Sequence, residues 1–317
     1  MKKKDMTIAL LVVIVWGANF TVIKLGLDGI PSMLLACLRF LITALPAVFF
    51  IKRPNLEWQY IIFYGLTVGV GQFACLFYAM EIGMPASLAS IIVELQAFIS
   101  PFFAWIFLKE RLKTKQVIGF LVAAVGLFII GIASGANKIT KVPINAFILT
   151  ILAPVFWAIS NIIVRLSSQK AIAKEEKLDM LSLIVWGSLI PPLPLLAFAL
   201  IFDTPETLIG VISNLKGISV FAVLYLSIGA TLFGYGMWGK LIAKYSIAKI
   251  APLSLLVLIV GLITARIVLS EQLSKMQWIG VIFILIGLII TNLDFKAIKR
   301  YFDKYRAKYI ESKEEQF

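Results

Sequence analysis

Glu94 is the one carboxylate near the middle of a long apolar run, IIVELQAFIS, and Gln96 stands two residues further on. A carboxylate at membrane depth costs several kcal/mol unless it faces a cavity or a partner. It can hold a substrate ammonium, carry a coupling proton, or sit neutral between helices, and the residues leave all three open. On a continuous helix, positions two apart do not share a face, so Glu94 is the one expected to face a cavity more directly. Arg39, roughly a third of the way into another apolar run, is too deep for easy snorkelling. It pairs with Glu94, meets a substrate carboxylate, or binds backbone carbonyls.

Trp16, Asn19 and Phe20 share one region of the first run, and Trp157 and Asn161 stand at related places in the sixth. An Asn in lipid needs a partner, which a cavity or another helix supplies, and aromatic faces attract ammonium groups. Helix packing or an interfacial belt is the plain alternative for the tryptophans. Gln72, Tyr235 and Trp238 complete the candidate substrate-binding set. Lys24, Arg165 and Arg266 lie near run ends, where long side chains reach the headgroups.

Other chemistry is excluded on composition and motif. The chain lacks histidine, the commonest metal ligand and near-neutral proton relay. Cys37 and Cys75 both fall in apolar runs, too few for a disulfide framework or a metal cluster. HExxH, GxSxG and GxxxxGK[ST] patterns are absent, so neither hydrolytic catalysis nor direct use of ATP is expected. No metal and no cofactor is anticipated.

The elements that must position these residues are membrane helices. Of 317 residues, 61% are hydrophobic and 15% charged, with a mean hydropathy of +0.97, outside the range of soluble domains. Apolar runs of about twenty residues match the thickness of the hydrocarbon core. Ten spans are predicted: 7–26, 33–51, 58–80, 85–108, 114–133, 145–167, 180–202, 217–239, 247–269 and 275–293. The start MKKKDMTIALLVVIV resembles a signal peptide, but no small-residue cleavage site follows, and a retained first helix is expected.

With the N-terminus inside, the inner segments carry 22 Lys and Arg and the outer ones four. The positive-inside rule then places both termini in the cytoplasm of a multi-pass cell (inner) membrane protein. The formal charge of +13 is thus a topology signal, and no nucleic-acid partner is expected. After Leu293, Phe295, Ile298, Phe302, Tyr305 and Tyr309 form one face of a helix among Lys and Arg. Such a tail suits the anionic cytoplasmic leaflet, or it is a frayed, solvated end.

The two halves repeat. Glu110, Leu112, Gln116, Gly119 and Gly126 fall on Glu271, Leu273, Gln277, Gly280 and Gly287 at a constant offset of 161, which also pairs Tyr64 with Tyr225. Trp16 and Lys24 fall on Trp157 and Arg165 at their own offset. Five helices per half is odd, so the second half is inverted, an arrangement of many secondary transporters. The expected fold is an all-α membrane protein of ten transmembrane helices as two inverted repeats, 1–140 and 141–294, with a basic cytoplasmic amphipathic tail over 295–317. Gly119/Gly126 and Gly280/Gly287 read as close helix-packing sites. Pro46, Pro101, Pro154, Pro191, Pro192, Pro194 and Pro252 read as kinks.

Several segments carry a family resemblance. WGANFTVIKLGL, LRF, YGLTVGVGQF and GMPASLAS, in order along the first four spans, resemble the EamA family of the drug/metabolite transporter superfamily. YGMWG (Tyr235 to Gly239) and APLSLLV (Ala251 to Val257) are similar to its cysteine and O-acetylserine exporter branch. The resemblance implies a central cavity lined by the first, third, fourth, sixth, eighth and ninth helices, and export of small amino-acid-like metabolites. Glu94 stands where that branch has Gln, and Leu258 where it tends to have Pro. Transport of another small metabolite or drug, a channel, or a lipid-handling role are the alternatives. A small-molecule substrate and the bilayer are the expected partners, with a homo-oligomer left open.

Overall fold

A computed structural model describes residues 2–136, 142–244 and 247–292. The tail helix expected after Leu293 lies outside these residues. The described chain is helical throughout, with no strands. Eight helices are long and apolar enough to cross a bilayer unaided: Lys3–Leu27, Ser32–Phe49, Trp58–Glu81, Ala86–Leu108, Thr114–Ala133, Ile144–Ala173, Met180–Phe202 and Gly217–Trp238. The ninth helix, Ile247–Val268, and the tenth, Lys275–Asn292, contain the shorter apolar stretches Leu256–Val268 and Lys275–Thr291. The ten-helix expectation therefore stands. Large apolar side chains such as Phe49, Phe50, Phe128 and Leu193 point outward and are mostly exposed, as lipid-facing residues must be.

Packing between the halves follows the repeat. The fifth and tenth spans make the most extensive contact in the fold. A Cβ at Gly126 would lie 2.5 Å from the Gly280 carbonyl oxygen, and one at Gly280 would lie 2.6 Å from the Gly126 oxygen. Gly119 and Gly287 face each other in the same reciprocal way, at 2.6 and 2.5 Å. The pairing is antiparallel, and the absent side chains let the two backbones touch, which is how helices associate where no hydrophobic force operates.

The loops that follow the fourth and ninth spans are copies in atomic detail. Lys109 and Ser270 both adopt the left-handed conformation, with φ of 55° and 54°. Glu110 N donates to Ala104 O and Glu271 N to Ala265 O, each at 3.3 Å. Gln116 and Gln277 each accept, at 2.8 Å, from the backbone amide three residues earlier.

Five spans are not regular. The second passes from α-helix at Ala44 into a 3-10 turn, Ala47–Phe49, after Pro46. The third widens into a π-helix over Gly65–Gln72, and its repeat mate, the eighth, does so over Tyr225–Tyr235. The seventh breaks between Gly187 and Pro192. Pro46 and Pro191 thus mark breaks, as a residue without an N–H should, whereas Pro101 and Pro154 lie within continuous helices. The fourth span also breaks, at Glu94 and Leu95, and this break has no proline. Leu258, fully buried, sits in an uninterrupted ninth helix.

Gly126→Leu should lower the thermal midpoint of the detergent-purified protein, since overpacking a tight contact costs about 1–3 kcal/mol. Gly210→Ala, where nothing lies within 4 Å of an added Cβ, should leave it unchanged or slightly raised. An unaltered midpoint for Gly126→Leu would show that the fifth and tenth spans do not need their backbone contact.

Candidate functional site

Four of the irregular spans converge on one cleft. Arg39 and Phe40 reach it from the second span, Tyr64, Gly65, Val68, Gly69 and Phe73 from the third. Ile184, Gly187, Ser188 and Pro191 come from the broken seventh span, and Thr231 and Tyr235 from the widened part of the eighth. Its empty space is about 300 Å³ counting the open mouth, and its enclosed part admits little more than a water molecule. Both halves of the chain contribute walls. The glycines set its shape: a Cβ at Gly65 would meet the Gly187 carbonyl oxygen at 2.5 Å, and one at Gly69 would collide with the Pro191 ring.

Arg39 is the charged group of this cleft and is only 2% exposed. Its Nη2 donates to Thr231 Oγ1 at 3.2 Å, and its guanidinium lies 4.0 Å from the Phe73 ring centroid. Phe40 and Phe77 stand further off, at 5.7 and 5.9 Å. Nε and Nη1 are buried and make no hydrogen bond. The expected pairing with Glu94 is not formed, because the guanidinium is held on the aromatic faces and Thr231. Tyr235 lines the cleft together with Arg39.

Glu94 belongs to a second polar cluster. The break after Val93 changes the geometry expected of a continuous helix: Glu94 and Gln96, placed on different faces by the sequence, are brought together and their side chains hydrogen-bond. Gln96 Oε1 accepts from Asn161 Nδ2 at 3.1 Å and from Ser100 Oγ at 3.4 Å, and Asn161 Nδ2 also donates to Ser100 Oγ at 2.9 Å. These bonds join the fourth and sixth spans. Asn161 thereby finds the partner that an amide in lipid requires.

The remaining candidates divide. Trp16 donates through Nε1 to Ala230 O at 2.9 Å and packs on Tyr235 and Trp238, with centroids 5.1 and 5.2 Å apart. It anchors the widened part of the eighth span. Phe20 is buried in the main core, and Trp157 is half-buried against it. Asn19 Oδ1 and Gln72 Oε1 are buried without hydrogen-bond partners. Lys24, expected to reach the headgroups, instead donates to Met80 O at 2.6 Å in the last turn of the third span. Arg165 pairs with Glu110 at 2.8 Å, both side chains well exposed.

Tyr64, Phe73, Ser188 and Thr231 were not singled out by the sequence. Tyr64 carried one signal, its place in the 161-residue repeat, and the runs GLTVGVG and LSIGATLFG mark where the two π-segments form. Of the helices implied by the resemblance, the third and eighth line the cleft, which the second and seventh complete.

Two carboxylates tie helix starts to distant loops. Glu81 accepts from Ser32 N at 3.1 Å and Ser32 Oγ at 2.6 Å. Glu271 accepts from Ala86 N, Ser87 N and Ser87 Oγ at 2.8, 2.9 and 2.5 Å. An acid at these first-turn amides satisfies orphan donors and complements the helix dipole. Glu110, held in the same loop geometry as Glu271, accepts from Arg165 Nη2 at 2.8 Å.

Comparison with known proteins agrees with this architecture. The model of the EamA-like transporter family matches residues 4–132 and 144–293. A "Probable amino-acid metabolite efflux pump" of Salmonella typhimurium is 40% identical, over 94% of this chain and 97% of its own. A protein of the same description from Escherichia coli is 39% identical, over 94% and 99%. A "Probable terminal-alkyne amino-acid exporter" of Streptantibioticus cattleyicolor is 24% identical over 89% and 91%. One crystal structure, 15% identical, superposes with a TM-score of 0.57 over 92% of this chain and 96% of its own, which speaks to the fold alone. With the family model spanning both halves and two relatives near 40% identity along nearly the whole length, the chain belongs to the EamA-like transporter family.

Proposed function

We propose that this multi-pass membrane transporter exports small amino-acid-like metabolites, of the cysteine and O-acetylserine class, from the cytoplasm by alternating access. The observation that carries the reading is the polar cleft around Arg39, walled by both halves at the point where four spans lose helical regularity. Such interruptions are tolerated at membrane depth where they line a cavity, and substrate sites between repeats are the rule for inverted-repeat transporters. The two relatives described as probable amino-acid metabolite efflux pumps support the wider class of amino-acid-like solutes. Membership of a transporter family also makes the chain a carrier rather than an enzyme.

Alternating access is supported by one contact. Glu271 latches the start of the fourth span, and its repeat mate Glu110 pairs with Arg165. By the positive-inside rule Glu271 falls on the outer side and Glu110 on the cytoplasmic side, with both termini cytoplasmic. The outer end of the fourth span is then held, and the enclosed part of the cleft is too small for an amino acid, so loading must widen it. Glu94, hydrogen-bonded to Gln96, is the group for a coupling proton or a substrate ammonium. The basic tail is assigned to anionic lipid.

Cells producing the protein should release more cysteine and O-acetylserine than empty-vector cells and survive higher loads of both. Equal extracellular levels across an amino-acid panel would sink the reading. Glu94→Gln removes the titratable proton and should flatten the pH dependence of transport in proteoliposomes; an unchanged profile makes Glu94 a packing residue. Glu271→Ala removes a cap worth about 1 kcal/mol, which shifts an outer-closed equilibrium about 5-fold. An Ile91→Cys reporter, with Cys37 and Cys75 replaced by serine, should then react faster with an impermeant thiol reagent added outside. Equal labelling with and without Glu271 would mean that the contact is no latch.

A further inference from the structure

The group that most needs explaining is Arg39. A guanidinium has five N–H donors and cannot shed its charge. Here one of the two on Nη2 goes to Thr231, and the three on Nε and Nη1 are buried with no acceptor. Contact with Phe73 at 4.0 Å offsets part of the cost of burial, since a desolvated cation–π pair contributes about 2 kcal/mol. Taking a full charge out of water costs more than that. Among the described residues no carboxylate forms an ion pair with it, the two ion pairs seen being Arg165 with Glu110 and Lys170 with Glu57. A permanently charged residue with free donors on the wall of a cleft lacks an anionic oxygen ligand.

We propose that Arg39 is the carboxylate-binding residue of the transport site, so that a free carboxylate is the obligatory recognition element of the substrate. This rests on the exporter reading and narrows it to a chemical class. Oxygen acceptors fit the guanidinium far better than sulfur, hydroxyl or amine groups do, and charge-assisted hydrogen bonds are about twice as strong as neutral ones. Phe73 fixes the plane of the guanidinium from one side and Thr231 holds Nη2, so Nε and Nη1 keep a set direction for the ligand. Thr231 and Tyr235 line the same cleft as Arg39 and add polar groups beside the guanidinium. Carboxyl esters and amides offer only a neutral carbonyl and leave the charge of Arg39 unbalanced, and plain amines bring a like charge, so all three are discriminated against.

The test is ligand binding to the full-length protein in nanodiscs, followed by thermal shift and by displacement of radiolabelled L-cysteine. The probes are L-cysteine and O-acetyl-L-serine, their methyl esters, and cysteamine. The wild type should bind both acids at least tenfold more tightly than the esters or the amine. Arg39→Lys should weaken acid binding at least tenfold, and Arg39→Gln should abolish the preference for acid over ester. If Arg39→Gln does not fold, the acid-to-ester ratio of the wild type decides. Equal binding of acid and ester, an unchanged acid affinity in either variant, or no binding of any acid at millimolar concentration overturns the proposal. Acid binding without export would instead remove the exporter reading and leave the carboxylate site standing, whereas equal export of acid and ester would do the reverse.

Discussion

Hydrocarbon accepts no hydrogen bonds, so each backbone group freed inside a span must be met by protein. Most of this structure answers that demand. The widened eighth span frees carbonyls that side chains then reach: Trp16 donates to Ala230 O and Thr231 to Leu226 O. Trp186 of the seventh span donates to Ile51 O beyond the interrupted second span, at 2.9 Å. Ser227 donates to Arg39 O at 3.0 Å, and Thr43 donates to Ser227 O at 3.4 Å, which locks the second span to the eighth at the level of the cleft. Irregular backbone in this protein is met by such neighbours, and four of the five irregular spans come together at the cleft.

The gathering has a chemical consequence. Regular helices present their side chains as lids over backbone, leaving little to bind a solute. Where the second, third, seventh and eighth spans meet, glycines at 65, 69 and 187 bring backbones close while Tyr64, Ser188, Thr231 and Tyr235 line the gap. Arg39 lies at its base with most of its donors idle. The cost of burying that charge is the strongest physical constraint on what the cleft is for.

Symmetry supplies the frame, and its breakages supply the state. The glycine pairs of the fifth and tenth spans and the copied loops at Lys109 and Ser270 show how closely the halves correspond. One departure among the described residues is plain: the fourth span breaks at Glu94 while the ninth runs on through Leu258. A machine of two equal halves must differ between them at any one moment, since identical halves leave both faces alike.

Span number, repeat offset and the packing role of Gly119, Gly126, Gly280 and Gly287 were all legible in the amino-acid order. Hydropathy acts residue by residue, and duplicated residues stay duplicated whatever they touch. Arg39, Tyr235, Gln96 and Asn161 were legible as polar groups in apolar runs, because lipid makes any such group conspicuous. Which of them meet was not. The break that joins Glu94 to Gln96 carries no proline, and the π-turns that aim Thr231 and Tyr235 inward rest on contacts across the bundle, with Trp16 Nε1 and Thr43 from other spans. The sequence alone therefore determined the number of helices, their duplication and the charges at stake. Tertiary structure decided which charge is left unmet, because hydrogen-bond partners some two hundred residues apart in the chain, such as Arg39 and Thr231, are assigned only when the helices pack.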